Sequence, residues 1–391
     1  MNLFTDENRK KIANRLFYLA LLIELVLMIV EKSDYYFDFE SYVFRFTFLL
    51  TFLAVIINKH SNKEFAVIAV VWIFTFMCYR LTGRNELLRF ATFVMAAQHI
   101  NLGKTMKMTF WVDLIGFASI ALLAITGVLG KVYLIMDYGR GDANELRYVF
   151  GFGHPNTLWG CVYALVLLWI WVYGSKAKLW AWAILLGIIL LIGKITVSRT
   201  ALIIGLFTFV IGIIARYCIP LAKKKIIYIL TGVVTPVLCA VFSVWASYVG
   251  FIPRYVWDHP WTRAAFVIDK LLNNRIMNIY RDNEKHAGAL ETWKLFSDHE
   301  SVEFFDMGWI RAFYWYGIIP TILICLLIVL FIYLCYKQRD IWTLILILSL
   351  SIYTVIEATF VSVYIGRNML LPVLGVYLGY FLENLQQHEK G

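Results

Sequence analysis

The sequence predicts an all-α polytopic membrane protein with about twelve transmembrane helices. Two observations carry this. The 391-residue chain is 61% hydrophobic and 16% charged, against about 45–50% and about 25% in ordinary soluble domains. Apolar runs near the ~20 residues that cross a hydrocarbon core recur from residue 12 to residue 382.

The first run, Ile12 to Val30, follows Asn8-Arg9-Lys10-Lys11 and has no small-residue cleavage site after it. It reads as a retained span, not a signal peptide. Eleven more are expected near 40–57, 65–79, 86–102, 109–130, 156–173, 179–193, 200–217, 226–248, 309–335, 341–360 and 368–382. The fourth carries Gln98 and His99. Together they make one transmembrane domain over 1–391, with an outer loop at 131–155 and a large outer loop at 249–308.

Charge orients the spans. With the N-terminus in the cytoplasm, the inner segments collect Arg9-Lys10-Lys11, Lys223-Lys224-Lys225 and other cations, in excess of the short outer loops. That is the sign the positive-inside rule requires, and it puts both termini in the cytoplasm. Deleting the fourth span would throw Lys223–Lys225 outside, so it is kept. The net charge of +10 is therefore an orientation signal and predicts no nucleic-acid partner. The six cysteines show neither metal nor disulfide spacing and read as small buried hydrophobes.

The type of cation differs between the faces. Arginine supplies three of sixteen inner cations but eleven of seventeen outer ones, counting the large loop and Arg311. Lysine suffices for topology, whereas arginine grips phosphate or carboxylate in two places. Two readings stand open: arginines snorkelling to headgroups, and a phosphate-gripping outer site.

On the outer face, the stretch RYVFGFGHPNTLWG at 147–160 enters the sixth span through His154-Pro155-Asn156. Pro155 suits a first helical turn. His154 reads either as part of a capped helix start or as a proton-exchanging group near neutral pH. Ser198-Arg199-Thr200-Ala201 opens the eighth span. There Ser198 is a natural cap, and Arg199 either snorkels or adds charge to a helix N-terminus suited to anions.

In the large loop, RAAFVIDKLLNNRIMNIYR at 263–281 has apolar residues at 267, 271, 272, 276 and 279. That spacing predicts an amphipathic helix on the membrane plane, with Arg263, Lys270 and Arg281 facing away and Arg275 at the edge of the stripe. A second short helix is expected over 286–296. Asp298-His299-Glu300, Glu303 and Asp306 follow, as a solvated acidic turn or a source of catalytic groups. No Gly-rich phosphate loop, HExxH, Cys/His metal spacing or paired-aspartate DxD is present. Carboxylates expected inside spans are few and scattered, at Glu24, Asp113 and Glu357, which weighs against a proton-coupled transporter.

Four features together resemble the Wzy-type O-antigen, capsule and exopolysaccharide repeat-unit polymerases and the related O-antigen ligases. They are R-x-x-x-G-x-x-HPN from Arg147 to Asn156, Ser198-Arg199-Thr200-Ala201, Asn274-Arg275-Ile276, and Asp306 to Gly317 in DMGWIRAFYWYG. The ligases carry His-Asn where this chain has Asp306-Met307, which favours the polymerases. The glycine usual after the loop's Leu-Phe is replaced, since Leu295-Phe296 is followed by Ser297.

The resemblance implies a GT-C-like glycosyltransferase, needing no metal or other cofactor, in a bacterial plasma membrane. It would join undecaprenyl-pyrophosphate-linked oligosaccharides on the outer face. Arg147, Arg199 and Arg275, with Arg140 and Arg367 in support, would hold the pyrophosphate. His154, Glu303, Asp306 and His299 are candidate bases, and the loop helix would act as a lid. Implied partners are the lipid-linked glycans, membrane lipids, and a flippase and chain-length regulator. The competing readings are a lipid-linked glycan ligase, a transporter or flippase of lipid-linked sugars, and a non-catalytic assembly partner.

Overall fold

The computed structural model describes residues 5–136, 144–251, 260–281, 286–358 and 365–387. These form α1 (Asp6–Glu31), α2 (Glu40–Ile57), α3 (Asn62–Thr82), α4 (Glu86–Ala96) and α5 (Leu102–Ile125), then strands β1 (Tyr133–Met136) and β2 (Glu145–Tyr148). Next come α6 (Pro155–Tyr173), α7 (Leu179–Thr196), α8 (Arg199–Tyr217), α9 (Lys225–Val233), α10 (Cys239–Phe251), α11 (Pro260–Leu271) and α12 (Arg275–Arg281). The chain closes with α13 (Gly308–Tyr316), α14 (Ile318–Gln338), α15 (Ile341–Tyr353) and α16 (Ile365–Gln387).

Among the described residues, nine segments are long and apolar enough to cross a membrane: α1, α2, α3, α5, α6, α7, α8, the α9–α10 run and α14. The chain is an all-α, membrane-embedded polytopic protein. Of the other three expected spans, two contain shorter apolar helices and one is a short helix, α4. α4 has 11 residues and stops just before Gln98 and His99. α15 has 13 residues, and Asn368–Glu383 is the apolar part of α16.

Two expected spans are interrupted for identifiable reasons. Between α9 and α10 a π-turn covers Val234–Leu238. Pro236 lies within it, where the missing N–H and bulky ring disfavour a regular turn. The expected 309–335 span is two helices, because Gly317 at φ +101 breaks α13 from α14.

The large loop also departs from expectation. The 263–281 stretch is not one helix: Asn273 and Asn274 take left-handed φ of 56° and 62° and separate α11 from α12. Ile276 and Ile279 are buried, but Val267 and Leu271, expected on the same stripe, are exposed. The expected helix at 286–296 is a single 3₁₀ turn at Leu290–Thr292. A strand pair, β1–β2, stands within segment 131–155, expected to be an outer loop without regular structure.

The chain forms two compact units. The first contains residues 1–62, 92–217 and 365–391, and the second residues 63–91 and 218–364. In lipid, close packing and interhelical hydrogen bonds, more than apolar burial, hold helices together. The first unit shows both. A Cβ on Gly205 would lie 3.0 Å from the Trp159 ring, and one on Gly212 3.0 Å from Trp182, so both glycines of α8 make room for indoles of α6 and α7. Tyr163 and Thr208 share a 2.7 Å hydrogen bond, and Tyr18 and Thr105 one of 3.0 Å.

The second unit is centred on α10, α12 and α13. Ile276, Ile279, Phe305, Ile310, Tyr314 and Trp315 belong to one buried cluster. Gly308 lets the start of α13 close on the turn after α15, since a Cβ there would lie 2.8 Å from the Glu357 carbonyl oxygen. Its N–H donates to Thr354 O at 2.9 Å.

Candidate functional site

The first unit assembles the motifs around His154. β1 and β2 pair antiparallel, with Tyr133 opposite Tyr148 and Leu134 opposite Arg147. Arg147 is 3% exposed. Its Nε and Nη2 donate to Glu145 Oε2 at 3.0 and 2.5 Å. The chain then turns through Gly151 and Gly153 at φ +79 and +68, a region that favours glycine. A Cβ on Gly153 would also lie 2.6 Å from Asp34 Oδ1. The glycines of the R-x-x-x-G-x-x-HPN stretch are thus turn and packing residues.

His154 caps α6: its Nδ1 accepts from Asn156 N at 3.1 Å, and Pro155 takes the first turn. His154 itself is exposed. Ser198 is buried and donates to Asn156 Oδ1 at 3.2 Å. Two stretches 42 residues apart therefore meet, joining the starts of α6 and α8. Arg199 is exposed in the first turn of α8.

The second unit contains a denser centre. The segment 301–306 is laid along α13 by four donors. Arg84 Nη2 donates to Ser301 O at 2.7 Å, and Trp315 Nε1 to Glu303 O at 3.0 Å. Tyr314 OH donates to Glu303 Oε2 at 2.6 Å, and Arg311 Nε to Phe305 O at 2.8 Å. Arg311 also lies over Phe304, 3.4 Å from the ring centroid, and Arg84 over Trp315 at 3.8 Å. Cation–π contacts of this kind contribute about 0.5–2 kcal/mol each.

Arg275 sits at the start of α12 and is 6% exposed. Its Nη2 donates to Glu357 Oε1 at 2.6 Å, and its Nε lies 3.6 Å from Asp306 Oδ2. Asp269 organises that start by accepting from Ile276 N and Met277 N at 2.8 and 3.2 Å. Two donors remain unspent: among the described residues, Arg275 Nε and Arg311 Nη1 are buried and have no hydrogen-bond acceptor. Both guanidiniums act electrostatically on Glu357, and Asp306 acts on both Glu357 and Arg311.

Of the predicted site residues, His154, Arg147 and Arg199 belong to the first unit, and Arg275, His299, Glu303 and Asp306 to the second. Asp306 is exposed and Glu303 half-buried. His299 is exposed and packs over Gly83. Nearby, a hydrogen bond from Lys294 holds the Asp298 carboxyl below its usual range. Arg140 lies outside the described residues, as does the side chain of Arg367 on α16.

Sequence reasoning missed Arg84, Arg311 and Glu357 as members of this centre. Glu357 was expected inside a span, but α15 ends at Tyr353 and leaves Glu357 in the following turn beside Arg275. The available signal for Arg311 was its setting in FFDMGWIRAFYW, an arginine one helical turn from an aromatic ring. Nothing local marked Arg84. Comparison with family models, curated proteins and solved structures gives no match.

Proposed function

We propose that this protein is a polysaccharide polymerase, a glycosyltransferase of the bacterial plasma membrane. It joins undecaprenyl-pyrophosphate-linked oligosaccharide repeat units on the outer face, in a GT-C-like bundle with both termini in the cytoplasm. The observation that carries the reading is the pair of buried arginines, Arg275 and Arg311, each with an N–H that has no acceptor among the described residues, beside the carboxylate Asp306. Two such donors suit an anion rich in acceptor oxygens, and preorganised cations are the largest help to a leaving pyrophosphate.

In the reaction, the acceptor hydroxyl attacks the anomeric carbon of the donor sugar. The bond from that carbon to the pyrophosphate oxygen breaks, and its electron pair leaves with undecaprenyl pyrophosphate. Arg275 and Arg311 stabilise the growing charge. Asp306 is the preferred base for the hydroxyl proton, because it is exposed beside Arg275, while Glu303 already accepts from Tyr314. His299 and His154 are the further candidates. Arg147, Arg199, Arg140 and Arg367 are the further candidates for holding pyrophosphate. A flippase that delivers substrate and a chain-length regulator are the expected partners.

The test uses purified protein in lipid with a synthetic undecaprenyl-pyrophosphate repeat unit, following product length on a gel. The wild-type chain is expected to build a ladder. Arg275→Lys, which keeps charge but loses the planar fork, is expected to slow it on the order of 10²–10³-fold. No ladder and no release of undecaprenyl pyrophosphate, with folded protein and intact substrate, sinks the reading.

One observation favours a transporter of lipid-linked sugars. Asp113, in α5, is 1% exposed and its Oδ1 has no hydrogen-bond partner among the described residues. Carboxylates buried in spans often mark transport pathways. Loss of sugar-lipid translocation in Asp113→Asn, in a chain that never polymerises, would select that alternative.

A further inference from the structure

The β1–β2 pair carries an inference independent of the proposed activity. Its register places Tyr133 opposite Tyr148 and Ile135 opposite Leu146. Because side chains alternate along a strand, these four share one face, and Leu134, Met136, Glu145 and Arg147 share the other. The two faces are used in the reverse of the order expected in water. The face with the Arg147–Glu145 ion pair includes the most buried residue of the two strands, Arg147 at 3% exposure. The aromatic and aliphatic face is the more open, with Tyr133 50%, Ile135 57% and Leu146 47% exposed and Tyr148 half-buried, while on the other face Met136, at the strand end, is 51% exposed. A soluble hairpin would bury the second and expose the first.

The open face follows directly in sequence on a candidate membrane span with exposed apolar residues. On α5, which is long and apolar enough to cross the membrane, Ile115, Leu122 and Ile125 are exposed, and Val128 follows at 72%. Five residues later Tyr133 begins the strand face. The aromatic rings gather at this level: Tyr133 and Tyr148 meet edge-on at 6.4 Å, and Tyr148 stacks on Phe150 at 5.4 Å. Tyrosine concentrates where an apolar ring and a wet hydroxyl are both accommodated. Exposed Lys131, two residues before the strand, offers its ammonium to headgroups.

Depth follows from the backbone. Among the described residues the sheet has two strands and so two unpaired outer edges, and unpaired peptide groups are not tolerated in the hydrocarbon centre. We propose that the face formed by Tyr133, Ile135, Leu146 and Tyr148 is a membrane-interface anchor, seated on bilayer lipid at headgroup level. The anchor holds the opposite face, with Arg147, turned into the protein.

Ile135→Cys and Leu146→Cys, each spin-labelled in the full chain in phosphatidylglycerol vesicles, test this. Cys218 and Cys325, the two cysteines not buried, are replaced by serine. Power saturation compares collisions with oxygen and with a water-soluble nickel chelate. Both labels are expected to prefer oxygen, at a depth between Ile115→Cys on α5 and the exposed loop position Glu291→Cys. A preference for nickel equal to that at Glu291 overturns the proposal, as does protection from both reagents, which means protein covers the face. In the unsubstituted chain, a lipid with a diazirine close to its headgroup should crosslink to Tyr133 or Tyr148. Absence of adducts there, with adducts on the spans, overturns it equally.

Discussion

Arg275 shows how much of the site depends on single pairings. It is a buried cation whose close anionic partner is Glu357, at 2.6 Å, with Asp306 farther off at 3.6 Å. Removing one partner of a buried pair leaves the other charge uncompensated, at a cost of about 3–5 kcal/mol. Glu357→Ala is therefore expected to destabilise the protein by that order in chemical denaturation, with Arg275 as the stranded charge. The double variant Arg275→Met/Glu357→Leu should recover most of the loss, since a well-packed apolar pair replaces an ion pair at little cost. Additive losses, with the double variant destabilised by the sum of the two single variants, would show that the pair is not coupled. Arg275 itself was readable as a candidate from its chain context. Glu357 was not, because its partner lies 82 positions away and its local surroundings read as apolar helix.

At the scale of elements, the α13–α14 joint converts one apolar run into two helices. Gly317, at φ +101 and ψ 170, takes a conformation open essentially to glycine alone, and neighbours from segment 294–297 close around it. Ile318 N donates to Lys294 O at 2.9 Å, and Ile319 N to Leu295 O at 3.0 Å. A Cβ on Gly317 would lie 2.7 Å from Leu295 O and 2.7 Å from Phe296 Cα, both backbone atoms that cannot rotate away. Gly317→Ala combines that overlap with a backbone strain of about 1–3 kcal/mol. It is expected to lower the unfolding midpoint and loosen segment 294–306, read as faster amide exchange there than in α6. Unchanged exchange in that segment would rule out the joint as its organiser. Composition did not locate this joint, since one unbroken span was expected over 309–335. Fourteen tryptophans and long apolar runs announce helices, whereas a single glycine decides where one helix ends and the next begins.

For the whole molecule, the orientation rests on charge. Cys218 is the exposed cysteine and lies next to the Lys223–Lys225 cluster. With both termini in the cytoplasm, an impermeant maleimide should leave it unlabelled in sealed right-side-out vesicles and label it in inverted ones. The reverse pattern would turn the arginine-rich loops inward and remove the proposed reaction from the outer face.

By itself the sequence determined the solvent in which this protein folds and where most of the long apolar helices run, because hydropathy is a property of contiguous residues. It also marked the glycine-broken entrance at 147–156 and the arginine and carboxylates of the large loop, whose residue types are unusual for their neighbourhoods. The tertiary structure alone decided the pairings: Glu357 with Arg275, Arg84 with Trp315, Ser198 with Asn156, and the open apolar face of β1–β2. Each depends on which distant segments are brought into contact, and a local pattern in one segment carries no record of what the other segment presents.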